Sequence, residues 1–255
     1  MQQPFIIKNV AFGVGKPAVC VPVMEQDREE IFQKITELVK ENVQMIEWRA
    51  DWFRYVENED AVRALLEEIR PLVENTVFLF TFRSRKQGGN SGLAEKKILR
   101  LNEIAAKSQA VDIIDLEFFE ATFPLKEIRR FQKMGVKIIA SHHDFDGTPA
   151  ESIMRMLLTK MKEGNADIVK LAVMPQNTED VLRLLAVTAD MKKSYPGLPV
   201  VTMAMGNVGV ISRICGETFG SCITFGAAGR TSAPGQINYK ELETILELLH
   251  KNQEA

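Results

Sequence analysis

The sequence predicts a closed (β/α)₈ barrel, a TIM barrel, with an N-terminal β-hairpin, in a single domain spanning residues 1–255. Eight short, apolar, β-branched runs alternate with eight segments of helical periodicity, a pattern typical of a parallel sheet covered by helices. Eight such units in a chain of 255 residues match the usual size of this barrel. A hydrophobic content of 45% is enough for one large core.

The strands are predicted from the short apolar runs, each too short to be a buried helix. Before them, residues 6–10 and a following short strand are expected to form the hairpin, with Gly13-Val14-Gly15 as its turn. The eight barrel strands are predicted at residues 18–23, 45–51, 76–83, 113–118, 137–144, 167–174, 200–206 and 221–228.

The helices are predicted at residues 27–41, 60–70, 94–108, 125–134, 149–163, 178–193, 208–217 and 239–251. Local signals support several of these boundaries. Asn177 is a cap candidate for the sixth helix, and Pro71 is a stop for the second. Thr148, Pro149 and Glu151 have the spacing of a capping box with proline at the first helical position.

An open, doubly wound sheet is the alternative fold for this alternation. It predicts a glycine-rich phosphate turn directly after the first strand. The first predicted barrel strand instead runs into Met24 and Glu25, with no glycine. The sequence therefore favours the closed barrel.

Composition and charge favour a small-molecule ligand. The formal net charge is −2, with both signs mixed along the chain, which argues against a nucleic-acid surface or a polybasic membrane anchor. No apolar run approaches the roughly 18 residues of a membrane span, and a signal peptide is not recognisable. Cys20, Cys215 and Cys222 are an odd number without metal-ligand spacing, so we expect reduced thiols and a cytoplasmic protein.

Polar residues recur in step along the predicted strands. Residues two apart on a strand share a face, and catalytic groups of such barrels lie at the carboxyl ends of the strands. The in-step pairs are Glu47 with Arg49, Asp115 with Glu117, and Ser141 with His143. If these faces point inward, the barrel mouth sets three acids against three bases: Glu47, Asp115 and Glu117 against Arg49, Arg83 and Lys170. The alternative is an internal salt-bridge lattice that only holds the strands together.

Lys170 lies in the middle of an apolar strand, where its amine loses hydration. Burial disfavours the charged ammonium form, which is one way that a lysine becomes a nucleophile towards a carbonyl carbon. Taken alone, the residue is more simply explained as an amine that pairs with an acid or reaches solvent.

His142 and His143 are adjacent on one predicted strand, so only one of them can face the barrel interior. The pairing of His143 with Ser141 selects His143 as the general acid–base candidate. Neighbouring strand residues are poor joint ligands of one ion, and the third histidine, His250, lies near the chain's end. We therefore expect no catalytic metal.

Five motifs, in order and spacing, resemble those of one family, type I 3-dehydroquinate dehydratase, which belongs to the class I aldolase-like Schiff-base barrels. They are Glu47-Trp48-Arg49-Ala50-Asp51, Phe80-Thr81-Phe82-Arg83-Ser84, Ser141-His142-His143-Asp144-Phe145, Lys170-Leu171-Ala172-Val173-Met174-Pro175 and Ser232-Ala233-Pro234-Gly235-Gln236. The resemblance covers nearly the whole chain. It implies a homodimeric barrel of the shikimate pathway that works without metal or organic cofactor.

The resemblance also implies roles for individual residues. Lys170 would form an imine with the ketone of 3-dehydroquinate, and His143 would move the protons that lead to 3-dehydroshikimate. Arg213 would bind the substrate carboxylate, a bidentate role that lysine could not copy. The ring hydroxyls would contact Glu47, Arg49 and Arg83, while Ser232 and Gln236 would belong to a loop that closes over the ligand. Asp115 would support this set.

Gln87 departs from the family pattern, in which a glutamate typically stands at this position. That glutamate is thought to orient the histidine and favour its charged form. An amide can still make a hydrogen bond, but it carries no charge to stabilise an imidazolium. Proton transfer is therefore the step that this residue puts in question.

Two other functions stay open on the sequence. One is another Schiff-base barrel, such as an aldolase acting on a phosphorylated sugar, although the Arg213 and Ser232–Gln236 pattern favours a carboxylate substrate. The other is a non-catalytic binding protein that retains the pocket, for which Gln87 is the encouragement. A substrate screen separates the first from a dehydratase, and ligand-induced stabilisation without turnover would indicate the second.

Overall fold

The computed structural model describes residues 5–253, so the outermost residues of the predicted 1–255 domain lie outside the description. Its eight parallel strands form one sheet in the order β10-β3-β4-β5-β6-β7-β8-β9. They are β3 (Ala18–Val23), β4 (Met45–Arg49), β5 (Val77–Thr81), β6 (Ile113–Glu117), β7 (Lys137–Asp144), β8 (Ile168–Val173), β9 (Val200–Ala204) and β10 (Ile223–Phe225). A single parallel bridge between Val200, in β9, and Ser221, two residues before β10, nearly closes the barrel. The predicted fold class is confirmed.

The helices lie between successive strands and after the last one. They are α1 (Arg28–Lys40), α2 (Glu59–Ile69), α3 (Glu95–Lys107), α4 (Pro124–Gln132), α5 (Glu151–Glu163), α6 (Thr178–Ser194), α7 (Gly216–Phe219) and α8 (Tyr239–Gln253). The Asn177 side chain caps α6 by accepting from the backbone N–H of Asp180 at 2.9 Å. The Thr148 capping box is wrong, because α5 begins at Glu151 and the Thr148 hydroxyl makes no hydrogen bond within the described chain.

The predicted seventh helix, 208–217, is also wrong. The chain instead forms a 3₁₀ turn, Val210–Arg213, followed by the single-turn α7. Tertiary contacts override the helical pattern here. The Ser212 hydroxyl accepts from the backbone N–H of Ala204 at 2.9 Å, and a Cβ at Gly209 would lie 2.2 Å from the Ala204 oxygen. This tight turn places Arg213 directly behind the carboxyl end of β9.

The N-terminal hairpin exists, but its turn differs from the prediction. Strands β1 (Phe5–Ile7) and β2 (Val10–Phe12) are antiparallel, so the chain reverses at Lys8 and not at Gly13-Val14-Gly15. Lys8 has a φ of 50°, and its ammonium donates to the Val73 and Thr76 carbonyls and to Asp112, each at 2.7 Å. These contacts hold the hairpin against the amino ends of the strands.

Two apolar layers position the mouth of the barrel. The larger lies between the barrel wall and the helices and contains Trp48, Phe80 and Leu171. The smaller fills the barrel interior from the hairpin upward, with Phe12, Met45 and Ile168 among its members. Because this lower interior is apolar, the polar side chains that face inward are confined to the carboxyl end. No helix of the described residues is long and apolar enough to cross a membrane.

Candidate active site

The strand alternation places the predicted polar residues inside the barrel mouth. Glu47 lines a central cavity together with Arg49, while Trp48 between them packs in the outer apolar layer. The cavity is small, about 40 Å³, and the loop after β10 forms one wall. Eight of the ten predicted site residues line it: Glu47, Arg49, Arg83, Gln87, His143, Lys170, Ser232 and Gln236. The other two, Asp115 and Arg213, are buried but are not among the residues that line this cavity.

Arg83 and Asp115 form the centre of a buried ion-pair network. The Arg83 Nη2 atom lies 2.7 Å from an Asp115 oxygen, and its Nη1 atom donates to Glu117 at 3.1 Å and to Ser141 at 3.0 Å. The Ser141 hydroxyl in turn donates to Asp115 at 2.5 Å. Burial alone would raise the pKa of Asp115, but Arg83 and Lys170 outweigh it and lower this pKa to about 2.

Arg49 and Glu47 have partners that the sequence analysis did not identify. Arg49 makes a bidentate pair with Asp51, with two N···O distances of 2.8 Å. Glu47 accepts a hydrogen bond from the Thr81 hydroxyl at 2.7 Å. The signal for Asp51 was its position two residues after Arg49, in step with the other polar residues of that segment. Thr81 gave no signal, because its role depends on how β4 and β5 pair.

Lys170 is buried, with 3% of the residue exposed, and its Nζ atom contacts two groups. It lies 3.3 Å from an Asp115 oxygen and 4.4 Å from the centroid of the Phe225 ring. Both the carboxylate and the aromatic face stabilise positive charge on this nitrogen. These two contacts would stabilise a positive charge on Lys170 Nζ, both as an ammonium and as a covalently modified, cationic nitrogen.

His143 faces the cavity, and Gln87 is its partner. The Gln87 Oε1 atom lies 3.0 Å from the backbone nitrogen of His143 and 3.1 Å from its Nδ1 atom. Burial lowers the pKa of His143 well below its ordinary value, and the charges of Arg83 and Lys170 lower it further. His142 points the opposite way and packs its ring 5.4 Å from that of Phe119.

Arg213 is an arginine without an acidic partner in the described part of the chain. It is 1% exposed, and its Nη2 atom donates to the Pro234 carbonyl at 2.9 Å. Its Nε and Nη1 atoms are buried, with no hydrogen-bond partner among residues 5–253. Burial lowers the pKa of Arg213 to about 10. A guanidinium in this state is suited to receive a carboxylate.

The loop after β10 is held by contacts of its own. The Gln236 side chain accepts from the backbone N–H of Ser232 at 2.7 Å and donates to the Ser232 hydroxyl at 2.8 Å. The Pro234 carbonyl also accepts from the Gly206 backbone N–H at 3.1 Å, which joins the loop to the end of β9. The loop therefore lies across the mouth, above Met203, Met205 and Phe225. Within the described residues, no group of three or more His, Cys, Asp or Glu side chains could hold a metal ion.

Comparison with known proteins shows similarity to one family. The model of the type I 3-dehydroquinase family matches residues 19–253. A 3-dehydroquinate dehydratase of Clostridioides difficile is 43% identical over 253 residues, which is 99% of each chain. One of Listeria monocytogenes serotype 4b is 42% identical over 247 residues, covering 96% of this chain and 98% of the relative.

Solved structures agree with this result. A type I 3-dehydroquinate dehydratase from Clostridium difficile, solved with covalently modified comenic acid, superposes with a TM-score of 0.93 at 42% identity, covering 98% of this chain and 99% of that one. The 3-dehydroquinate dehydratase of Geobacillus kaustophilus also gives a TM-score of 0.93, at 33% identity, covering 98% and 97% of the two chains.

Proposed function

Because this chain belongs to the type I 3-dehydroquinase family, we propose that it converts 3-dehydroquinate to 3-dehydroshikimate, with Lys170 as the imine-forming lysine and His143 as the proton-transfer group. The observation that carries the residue assignment is the register of two adjacent strands. Lys170 pairs with Ser141, and His143 lies two residues further along the same face of β7. The amine and the imidazole therefore open into one cavity.

The reaction begins when Lys170, as a neutral amine, attacks the ketone carbon; one proton is taken up from solvent and water is lost to give a protonated imine. Asp115 supports this step, because its carboxylate beside Nζ stabilises the cationic nitrogen that forms. The imine withdraws electrons from the neighbouring carbon, and His143 removes a proton there to give an enamine. The enamine expels the hydroxyl one carbon further on, which takes the proton back from His143. Hydrolysis of the imine then releases product and frees the lysine.

The remaining residues hold the substrate in position. Glu47, Arg49 and Arg83 line the cavity with fixed charges that suit the ring hydroxyls. The free N–H groups of Arg213 suit the substrate carboxylate, since a guanidinium can bind it in a bidentate manner. Ser232 and Gln236 belong to the loop that would close over the bound molecule. Arg213 could also pair with a phosphate, so membership of the 3-dehydroquinase family is what favours 3-dehydroquinate over a phosphorylated sugar.

The test is reductive trapping with borohydride in the presence of 3-dehydroquinate, followed by peptide mass spectrometry. We expect an adduct on the peptide that contains Lys170, and we expect Lys170→Ala to lose both the adduct and turnover. The control is Lys137→Ala, because Lys137 stands at the opposite end of the neighbouring strand β7 and should leave the adduct unchanged. An adduct at another lysine would contradict the assignment, and an adduct without turnover would favour a binding protein.

The resemblance further implies a cytoplasmic homodimer. Large apolar side chains are exposed on consecutive outer helices and offer a surface for a second copy: Phe123, Leu125, Ile153, Met156 and Leu182. Light scattering of the purified protein gives the oligomeric state, and a monomer at micromolar concentration would contradict this part of the proposal.

A further inference from the structure

Gln87 is in contact with His143, the histidine on which the proposed function depends. It ends a 3₁₀ turn, Arg85–Gln87, that follows β5, and it is 2% exposed. Its side chain reaches across to β7 and touches His143 through one atom, Oε1. The following steps rest on the proposed role of His143 as a base.

The contacts of Gln87 fix which end of its amide faces His143. The backbone N–H of His143 is a donor under all conditions, so the atom 3.0 Å from it must be the amide oxygen. That same oxygen lies 3.1 Å from His143 Nδ1. Because an amide oxygen only accepts, a favourable contact requires the proton of the neutral imidazole to be on Nδ1. The Nε2 atom then carries the lone pair.

The loop that carries Gln87 is held in one position. A Cβ at Gly88 would lie 2.3 Å from the Phe145 ring, and one at Gly89 would lie 1.8 Å from the Arg83 oxygen. Two buried carboxylates hold its backbone, since Asp51 accepts from Asn90 N–H at 2.9 Å and Glu117 from Ser84 N–H at 2.8 Å. The backbone that carries Gln87 therefore cannot shift without disturbing Asp51 and Glu117, the carboxylates that also pair with Arg49 and Arg83.

Charges around His143 also disfavour the imidazolium. Arg49 from β4, Arg83 after β5, Lys170 on β8 and the adjacent His142 all act to lower its pKa, in addition to burial. The nearby carboxylates already have other partners: Glu47 with Thr81, Asp115 with Arg83 and Ser141, and Glu117 with Arg83. Gln87 is the direct side-chain partner of the imidazole, and it is uncharged.

We propose that Gln87 is a positioning residue that holds His143 as a neutral base in the Nδ1–H tautomer, with Nε2 free to accept the substrate proton. A carboxylate at this place would accept the same two hydrogen bonds but would also stabilise the imidazolium. The amide leaves His143 ready to act as a base at lower pH, and it does not stabilise the charged form that returns the proton to the departing hydroxyl.

The direct test determines the tautomer of His143 in the protein without substrate. We would record long-range ¹⁵N–¹H spectra of ¹⁵N-histidine-labelled protein across a pH series, assigning the three histidines with His142→Asn and His250→Asn. We expect His143 to be protonated at Nδ1, unprotonated at Nε2, and not to titrate in the neutral range. A His143 protonated at Nε2, or one that titrates at the ordinary pH of a free imidazole, would overturn the proposal. No substrate is needed, so this outcome is separate from that of the trapping experiment.

Kinetics test the same proposal through Gln87→Glu, which keeps both acceptor contacts and adds one negative charge. Because the base must be neutral in the free enzyme, raising its pKa moves the acidic fall of kcat/KM to higher pH. We expect a shift of about 1 to 3 pH units, the usual effect of an adjacent opposite charge, together with a higher kcat. The matched control is Lys86→Gln, which makes the same change of one charge at an adjacent side chain that is 78% exposed. An unchanged rate and pH profile in Gln87→Glu, or the same shift in Lys86→Gln, would overturn the role of Gln87.

Discussion

The two sides of the barrel mouth differ in how their charges are satisfied. On the side of β4 to β7, each arginine already has a carboxylate: Arg49 is paired with Asp51, and Arg83 with Asp115 and Glu117. On the side of β9 and β10, the walls are apolar and Arg213 has a backbone carbonyl as its partner, with no acid among the described residues. On the β4 to β7 side, the arginines therefore have their counter-ions without any ligand.

The ion pairs on the β4 to β7 side stabilise the folded site, whereas the unpaired charge of Arg213 is available to a ligand. A buried charge that lacks its counter-ion is costly, and a protein that keeps one gains nothing in stability from it. Arg213 is therefore better explained by ligand binding than by folding. A lattice that serves only stability accounts for the β4 to β7 side, but not for Arg213.

The largest effect on the paired side should come from Asp115→Asn, which leaves Arg83 and Lys170 without a shared carboxylate. We expect the free energy of unfolding to fall by about 3 to 5 kcal/mol, the usual cost of breaking a buried ion pair. The folded pKa of Asp115 is about 2, below its value in the unfolded chain. Its contribution to stability is therefore present above the unfolded pKa and is lost as the pH falls from there to about 2. Denaturant unfolding between neutral and acidic pH measures both.

Asp190→Asn is the matched control, since Asp190 pairs with Arg155 at the surface. It should change the free energy of unfolding by at most about 1 kcal/mol. Equal losses in the two variants would show that the buried network is not the main support of this side.

On the unpaired side, Arg213→Gln should separate activity from stability. We expect kcat/KM for 3-dehydroquinate to fall by about 30- to 4000-fold, equivalent to about 2 to 5 kcal/mol, because a buried carboxylate–guanidinium contact is lost. The free energy of unfolding should stay the same or rise, because an uncompensated buried charge is removed. Arg213→Lys keeps the charge and should recover little activity, since an ammonium cannot bind in the same bidentate manner. A loss of stability as large as that of Asp115→Asn would place Arg213 in the structural network.

Much of this fold could be predicted from the chain because parallel strands buried on both faces leave a clear pattern of apolar runs. The errors fall where tertiary contacts decide the backbone. The segment 208–217 has a helical pattern, but Ser212 and Gly209 tie it to Ala204 and produce a tight turn. The hairpin turn depends on Lys8 reaching three oxygens under the barrel, which no local signal reveals.

The site was predictable where it depends on strand alternation and less so where it depends on pairing. Alternation correctly placed Glu47, Arg49 and Lys170 in the mouth. The predicted pairing of three acids with three bases was too simple, because Arg49 forms its ion pair with Asp51 and Glu47 accepts a hydrogen bond from Thr81. The contact between Gln87 and His143 follows from a loop conformation, so the sequence could suggest the pair only through the family resemblance. The chemical roles of these residues remain predictions.

The smallest expected effect concerns a contact that joins the two sides across the top of the mouth. Arg230, in the loop after β10, lies with its guanidinium carbon 4.0 Å from the centroid of the Trp52 ring, which follows β4. We expect this exposed cation–π contact to favour the closed loop, so Arg230→Gln should raise KM by about two- to fivefold without changing the free energy of unfolding. The decisive measurement is a double-mutant cycle with Trp52→Leu. If the contact acts as a unit, the double variant should be no worse than either single one, whereas additive increases in KM would mean that the two residues act independently.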